Sequence, residues 1–242
     1  MQPPERSYII WFSQRTGSTL LAAALEITKQ CGVPHEHLNG NDPATFTLTN
    51  LHTLWQGGST SNGLFALKYG PSRNMADWTM AFRRVLELPQ EASAAEIWAA
   101  TFPNCRHIFM TRRNKVRLAV SWWRAIVSGE WHCAYGQAPQ TADLADRYSF
   151  DAIHHLFAEC VLREAAIEDF FAASNILPLT VVYEDFIRDY EGTMRGVLAY
   201  LGLERPNSVQ PPAFQKMADA LSDDWTQRFR EERQAGWSNP AW

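Results

Sequence analysis

The sequence has few cysteines, no long hydrophobic run and no excess of positive charge. Its four cysteines include no CxxC pair and no Cys/His group at zinc-ligand spacing, which excludes the common zinc and dithiol redox motifs. No apolar segment approaches the length of a membrane helix, and residues 1–6 are polar, so we expect neither a transmembrane segment nor a secretory leader. We therefore expect a cytoplasmic protein whose thiols are reduced and lie mostly in the core.

The charge balance is mildly acidic, with 22 Lys and Arg against 26 Asp and Glu and a net charge of −4. This balance argues against general nucleic-acid or anionic-membrane binding, so an anionic ligand must be held by local geometry. The chain has 242 residues, of which 46% are hydrophobic and 20% charged, as in globular proteins. We predict one domain over residues 1–242, with 1–6 and 237–242 as flexible or interface tails.

Short apolar runs alternate with helical patterns along the chain. The runs predict buried strands at 8–12, 64–67, 107–110 and 179–183. The helical patterns predict helices at 19–30, 93–101, 116–128, 150–173 and 193–201. Loops are predicted at 57–63, 134–146 and 205–212. This alternation predicts an α/β fold with a P-loop-like parallel sheet of four to five strands flanked by helices, whose ligands lie beyond the carboxyl ends of the strands.

The segment after the first predicted strand has the features of an anion-binding loop. Its sequence is Ser-Gln-Arg-Thr-Gly-Ser-Thr-Leu-Leu over residues 13–21, between a strand and a helix. Gly17 allows close backbone approach, and Ser18 and Thr19 begin a helix whose free N–H groups attract anions. The segment has no lysine before Ser18 and no first glycine, so it is not a Walker A loop. An ordinary strand–helix turn with a Ser/Thr cap remains the alternative.

A second basic segment follows the third predicted strand. Arg113 stands just past that strand, and Ser121 follows eight residues later in the next helix. An arginine fork and a hydroxyl at this spacing can bind a second phosphate. Arg117 and Arg124 on the same helix are more simply interpreted as surface residues. Two anion sites in one chain predict a ligand with two separated phosphate or sulfate groups.

Several motifs in order resemble sulfotransferases that use 3′-phosphoadenosine 5′-phosphosulfate (PAPS). The resemblance is to the bacterial Stf0-type (trehalose 2-sulfotransferase-like) branch, and it extends from Tyr8 to about Arg230. The motifs are QRTGSTLL at 14–21, KVRLAVSWWRA at 115–125, SGEWH at 128–132, VYEDF at 182–186 and DWTQRF at 224–229. The resemblance implies sulfuryl transfer from PAPS, giving 3′,5′-ADP (PAP), with no metal.

The resemblance also assigns roles in donor binding. It implies that the 5′-phosphosulfate is held by Arg15, Thr16, Gly17, Ser18, Thr19 and Leu20. It implies that Arg113 and Ser121 hold the 3′-phosphate. Sulfuryl transfer should resemble loose phosphoryl transfer, in which positioning and charge stabilisation supply most of the rate, so Arg15 is also expected to be catalytic.

On the acceptor side, the resemblance implies that Glu36 takes the proton from a sugar hydroxyl. The implied acceptor-binding residues are Gln14, Pro34, His35, Glu36, His37 and Lys68. His35 or His37 is the alternative base, because a histidine is better matched to neutral pH. His132 either faces the acceptor or is structural. The expected acceptor is a small carbohydrate or glycolipid, and trehalose itself stays open because residues 38–62 match the branch poorly.

The branch implies a homodimer with exchanged elements. Two other functions stay open on the residues alone, both for a P-loop-like nucleotide-binding protein. A kinase would need a phosphate-loop lysine and Mg²⁺ ligands, and neither is found in the sequence. A non-catalytic module would bind PAP without sulfuryl transfer.

Overall fold

A four-stranded parallel sheet forms the centre of the fold. The computed structural model describes residues 2–71, 75–137, 144–204, 209–214 and 219–238. Within them the sheet has the order β2-β1-β3-β4, and the strands are β1 (Arg6–Phe12), β2 (Leu64–Tyr69), β3 (Cys105–Thr111) and β4 (Leu179–Val182). All four predicted strands are therefore confirmed, as is the α/β class. Because every pairing is parallel, the carboxyl ends of the strands lie along one edge.

The central strand β1 is buried on both faces, as its continuous apolar run predicts. Tyr8, Ile10 and Phe12 belong to the core on one side of the sheet. Ile9 and Trp11 belong to the core on the other side. Successive strand residues point to opposite faces, so one apolar segment anchors both layers and fixes where the chain leaves the sheet at Ser13.

Helices cover both faces of the sheet. Five predicted helices are confirmed, with small shifts at their ends: α1 (Ser18–Ile27), α4 (Ala94–Thr101), α5 (Lys115–Ser128), α6 (Phe150–Ala173) and α8 (Tyr190–Tyr200). Four helices were not predicted: α2 (Leu48–Gly58), α3 (Met75–Val85), α7 (Tyr183–Arg188) and α9 (Ala220–Gln234). A 3₁₀ turn spans Ala145–Arg147. None of the helices in the described part of the chain is long and apolar enough to cross a membrane.

The loop predicted at 57–63 is wrong at its start. Gly57 and Gly58 are the last two residues of α2, which begins after a capping box formed by Thr47 and Asn50. A Cβ at Gly58 would lie 2.3 Å from the Phe65 ring, so this glycine allows the helix to pack directly on β2. The other two predicted loops lie partly outside the described residues, at 138–143 and 205–208, as do residues 1 and 239–242 of the predicted tails.

A third core joins α5, α6 and α9. Trp225 and Phe229 of α9 are buried against Trp122 of α5, and two ion pairs, Arg117–Asp223 and Arg124–Asp219, reinforce this contact. Six tryptophans are buried in two of the three cores: Trp11, Trp55, Trp78, Trp98, Trp122 and Trp225. Three of the four cysteines are also buried: Cys31, Cys133 and Cys160.

Candidate active site

The loop after β1 has the backbone of an anion site. Helix α1 begins at Ser18, and its N-cap is Gly17, with φ +85° and no side-chain cap. The first N–H groups of α1 therefore have no side-chain acceptor at the cap. A Cβ at Gly17 would lie 2.7 Å from Cδ2 of Tyr183, so only glycine fits here. Buried Thr16 braces the turn by donating to the Ser13 carbonyl at 2.8 Å.

Arg15 joins this loop to two other segments. Its Nε donates to Oγ of Ser121 at 3.2 Å, and its Nη1 donates to the Trp131 carbonyl. Arg15 itself has φ +64°, a conformation in which few residues other than glycine are found. Burial and the nearby positive charge of Arg112 lower its pKa, although the group stays charged at neutral pH. The structure thus brings together Arg15 and Ser121, which are predicted to bind opposite ends of one donor.

Arg113 is placed differently from Ser121. Its side chain is 58% exposed and forms a two-pronged ion pair with Asp185. Its backbone N–H donates to Glu184. Within the described residues no hydrogen bond joins Arg113 to Ser121, so the structure does not bring the predicted pair into direct contact.

A network of polar side chains connects two parts of the predicted site. One is the loop at residues 13–21, called the donor loop after its predicted ligand, and the other is the predicted acceptor side. Lys68, at the end of β2, is 7% exposed. Its Nζ donates to Oγ1 of Thr19 at 2.8 Å and lies 2.9 Å from Oε1 of Glu36. The other Glu36 oxygen accepts from the Asn39 amide at 2.7 Å. Thr19, Lys68 and Glu36, three of the predicted site residues, are therefore in one network.

Glu36 and Lys68 also line a small polar cavity of about 180 Å³. The remaining lining residues are Leu38, Asn39, Gly40, Asn41, Tyr69, Gly70 and Trp78. The sequence analysis did not identify these residues as part of the site. Residues 38–41 lie in the segment that matches the branch poorly, and Trp78 lies on a helix that was not predicted. Asparagine amides are groups that can hydrogen-bond the hydroxyls of a sugar.

The other predicted acceptor residues lie outside this cavity. His35 pairs with Glu26 at 3.0 Å, and the ring of His37 contacts the Val33 carbonyl at 2.7 Å. Burial lowers the pKa of His37. Pro34 is buried. Neither histidine lines the cavity, so the geometry favours Glu36 over both as the group facing an acceptor.

Gln14 and Leu20 have contacts on the protein side. Oε1 of Gln14 accepts from Nη1 of Arg163 at 2.6 Å. Leu20 packs against the core beneath the sheet, which leaves its backbone as the part available to a ligand. For both residues the structure shows a positioning contact, and their ligand-binding roles stay predictions.

His132 lies within electrostatic range of Arg15, Lys68 and Glu36. Its ring packs on Phe214, with centroids 5.2 Å apart. Partial burial, followed by the positive charges of Arg15 and Lys68, lowers the pKa of His132 to about 4. The ring is therefore neutral at pH 7, beside the loop and the Lys68–Glu36 pair.

A buried carboxylate supports the loop from behind. Glu164 of α6 is 6% exposed and accepts from the hydroxyls of Ser13 and Thr111, each at 2.8 Å. It also pairs with Lys115 at the start of α5. Glu164 thus fixes the exits of β1 and β3 relative to each other. The sequence signal for it is one acidic residue among the apolar positions of α6. No group of three or more His, Cys, Asp or Glu suited to a metal is found among the described residues.

The chain is similar to known proteins over most of its length. The chain is similar to trehalose 2-sulfotransferase of Mycolicibacterium smegmatis, with 26% identity over 94% of this chain and 96% of that protein. It is 24% identical to trehalose 2-sulfotransferase of Mycobacterium tuberculosis, over 94% and 95% of the two chains. A sulfotransferase structure from Alicyclobacillus acidocaldarius shares the fold, with TM-score 0.51 and 15% identity over 96% of this chain and 93% of that one.

The family match covers most of the chain. The profile of the Stf0 sulphotransferase family matches residues 42–232, which include the basic segment at the start of α5 and helix α9. The Gly17 loop and Glu36 lie before that match, and the alignments to the two curated relatives span 94% of the chain. The chain therefore belongs to the Stf0 sulphotransferase family.

Proposed function

We propose that this protein transfers a sulfuryl group from PAPS to a hydroxyl of a small carbohydrate, either a free sugar or a glycolipid. The observation that carries the proposal is the Thr19–Lys68–Glu36 network, which joins the donor loop to a polar cavity. Family membership supports sulfuryl transfer. The names of the two curated relatives support a sugar acceptor and make trehalose the first candidate.

The residues present fit a doubly anionic nucleotide. The uncapped start of α1 and the Arg15 guanidinium would hold the 5′-phosphosulfate, together with Thr16, Gly17, Ser18, Thr19 and the backbone of Leu20. Arg113 and Ser121 would hold the 3′-phosphate, for which Arg113 must exchange Asp185 for the ligand. When bound, the donor supplies an activated sulfuryl group.

Each site residue has a stated task in the transfer. The acceptor oxygen forms a bond to sulfur while the bond from sulfur to the phosphate oxygen breaks. Arg15 and the N–H groups of α1 stabilise the negative charge that develops on that phosphate oxygen. Glu36 takes the proton that the acceptor hydroxyl releases. Lys68 holds Glu36 at the cavity wall and places a positive charge between the two substrates.

The test is incubation with labelled PAPS and a panel of sugars, glycolipids and phenols, with trehalose included. We expect label in a carbohydrate, and stabilisation of the protein against heat by PAP but not by Mg-ATP. Stabilisation by PAP with no transfer to any acceptor would identify a non-catalytic PAP-binding protein. Stabilisation by Mg-ATP alone would identify a kinase.

The proposed cellular form is a cytoplasmic homodimer. This part of the proposal rests on the resemblance to the Stf0 branch. Sedimentation equilibrium of the purified chain tests the dimer. A single species at the 27.5 kDa mass of one chain would contradict it.

A further inference from the structure

A second cavity lies where β3 passes into α5, against helix α6. Its volume is about 390 Å³. The cavity wall reaches the donor loop, because Glu164 in this wall accepts a hydrogen bond from Ser13. Three cationic side chains line it: Arg112, Arg113 and Lys115.

All three cations have carboxylate neighbours. Lys115 pairs with Glu164 and donates to Thr111 at 2.8 Å, and Arg113 pairs with Asp185. Arg112 forms a longer ion pair with Glu184. In the part of the chain that the structure describes, the buried Nε of Arg112 makes no hydrogen bond.

Arg112 is a buried residue, with only 8% of its surface exposed. The carboxylate of Glu184 lies 3.7 Å from Nε of Arg112, beyond normal hydrogen-bond length. That carboxylate already accepts the backbone N–H groups of Arg113 and Asn114 at 3.0 and 3.2 Å. Burying the Nε–H of a guanidinium without a hydrogen-bond acceptor is costly. The fold therefore holds a charged fork beside a carboxylate that accepts no hydrogen bond from it.

The position of Arg112 connects it to the donor loop. Its guanidinium carbon lies 4.7 Å above the ring of Tyr183, and the same ring closes on Gly17. The positive charge of Arg112 is felt at Arg15, whose pKa it helps to lower. Two like charges held near each other in a partly buried site repel, and a bound anion relieves that repulsion.

We propose that Arg112 binds a phosphate group of the nucleotide donor, as a cationic ligand additional to Arg15 and Arg113. The proposal rests on the proposed function, since it takes the ligand to be a PAPS-type nucleotide. It differs from the R-x7-S pairing, in which the arginine is Arg113. The planar fork of arginine suits two phosphate oxygens at once.

The experiment measures binding of PAP and of 5′-AMP by calorimetry, using the full chain. Arg112→Gln is expected to raise the Kd for PAP at least tenfold. The matched control is Arg106→Gln, because Arg106 also stacks on a tyrosine, Tyr200 at 5.5 Å, but near the opposite end of β3. Its Kd is expected to stay within twofold. A loss confined to PAP assigns Arg112 to the 3′-phosphate, and an equal loss with 5′-AMP assigns it to the 5′-phosphate.

Thermal unfolding without ligand separates binding from a structural role. If Arg112 serves the ligand, Arg112→Gln has an unchanged or higher Tm, because only the long ion pair with Glu184 offsets the cost of burying the guanidinium. A lower Tm together with unchanged PAP affinity would overturn the proposal. If the glutamine variant does not fold, Arg112→Lys replaces it in the binding experiment. We expect the lysine variant to bind PAP more weakly because the planar fork is lost. Wild-type affinity of the lysine variant would overturn the proposal. If the wild-type chain binds no PAP, the proposed function fails instead.

Discussion

Lys68 forms an ion pair with Glu36, with 2.9 Å between Nζ and Oε1, at the point where the Gly17 loop meets the small polar cavity. The lysine side chain is 8% exposed and the glutamate side chain 35% exposed. The positive charge is therefore fixed inside the protein, while the carboxylate stays accessible from the cavity. Buried Lys68 thus fixes the position of Thr19 in the loop relative to Glu36 at the cavity.

Replacing Lys68 by methionine should slow sulfuryl transfer more than it weakens the fold. We expect turnover to fall about 100-fold, the usual cost of removing one preorganised charge from an active site. Glu36 can be hydrated once its partner is lost, so the free energy of unfolding should change little. Steady-state kinetics and urea unfolding measure the two effects, and exposed Lys29→Met is the control. Full turnover in Lys68→Met would remove Lys68 from the mechanism.

Glu36→Gln should retain PAP binding and lose most of its transfer rate. Glutamine keeps the size of the side chain but cannot accept the proton, and general-base catalysis contributes about 10²- to 10⁴-fold. Single-turnover kinetics with labelled PAPS measure the chemical step apart from product release. A rate equal to wild type would move the proton to a histidine, and the neutral ring of His132 beside the site would be the next residue to substitute.

Gly17→Ala should both destabilise the protein and abolish tight PAP binding. The new Cβ would lie 2.7 Å from Cδ2 of Tyr183, at a backbone φ of +85°. Backbone strain of this kind costs roughly 1–3 kcal/mol before the clash is counted. Gly129→Ala is the matched control, because Gly129 has φ +72° and no atom within 4 Å of the methyl group that alanine would add. Equal losses of unfolding free energy in the two variants would show that the Tyr183 contact is irrelevant.

His107 should make the protein less stable in acid. The indole N–H of Trp11 donates to Nδ1 of His107 at 3.0 Å, and burial lowers the pKa of His107 to about 4. Between pH 4 and the ordinary value of 6.5, the unfolded chain binds the proton and the folded chain does not. Stability is therefore complete above pH 6.5 and falls as the pH drops, by up to about 3 kcal/mol at pH 4.

The measurement is urea unfolding at a series of pH values for wild type and His107→Gln. Glutamine offers Trp11 an acceptor oxygen but does not titrate, so its profile should be flatter over this range. Parallel profiles for the two proteins would contradict the assignment to His107.

Sequence patterns predicted those helices and strands whose own apolar residues show which positions are buried. The run at 8–12 is apolar at every position, and it forms the strand that the pattern indicates. Helix α2 was missed because Gly57 and Gly58 are loop residues by propensity, and only the close packing of Phe65 makes them suitable for a helix end. Helix α9 is highly charged, and its buried face is defined by Trp225 and Phe229 alone among its large apolar residues.

The site was predicted where one segment carries the chemistry, and missed where distant segments combine. The Gly17 loop is recognisable from nine consecutive residues. The contact between Arg15 and Ser121 spans 106 positions, and no local pattern records it. Arg112 and Arg113 both follow a strand, and the spacing to Ser121 points to Arg113 alone. Only the fold shows that one side chain points into the protein and the other toward solvent.

The packing of α9 on α5 has a consequence for how the protein is made. Ser121 lies on α5, and α5 is held by Trp225, Phe229 and the ion pairs to Asp219 and Asp223. These residues are synthesised after the loop around Gly17. A nascent chain that has formed its sheet therefore still lacks the support for one half of the proposed nucleotide site. Competence to bind nucleotide should be acquired only after α9 has been translated.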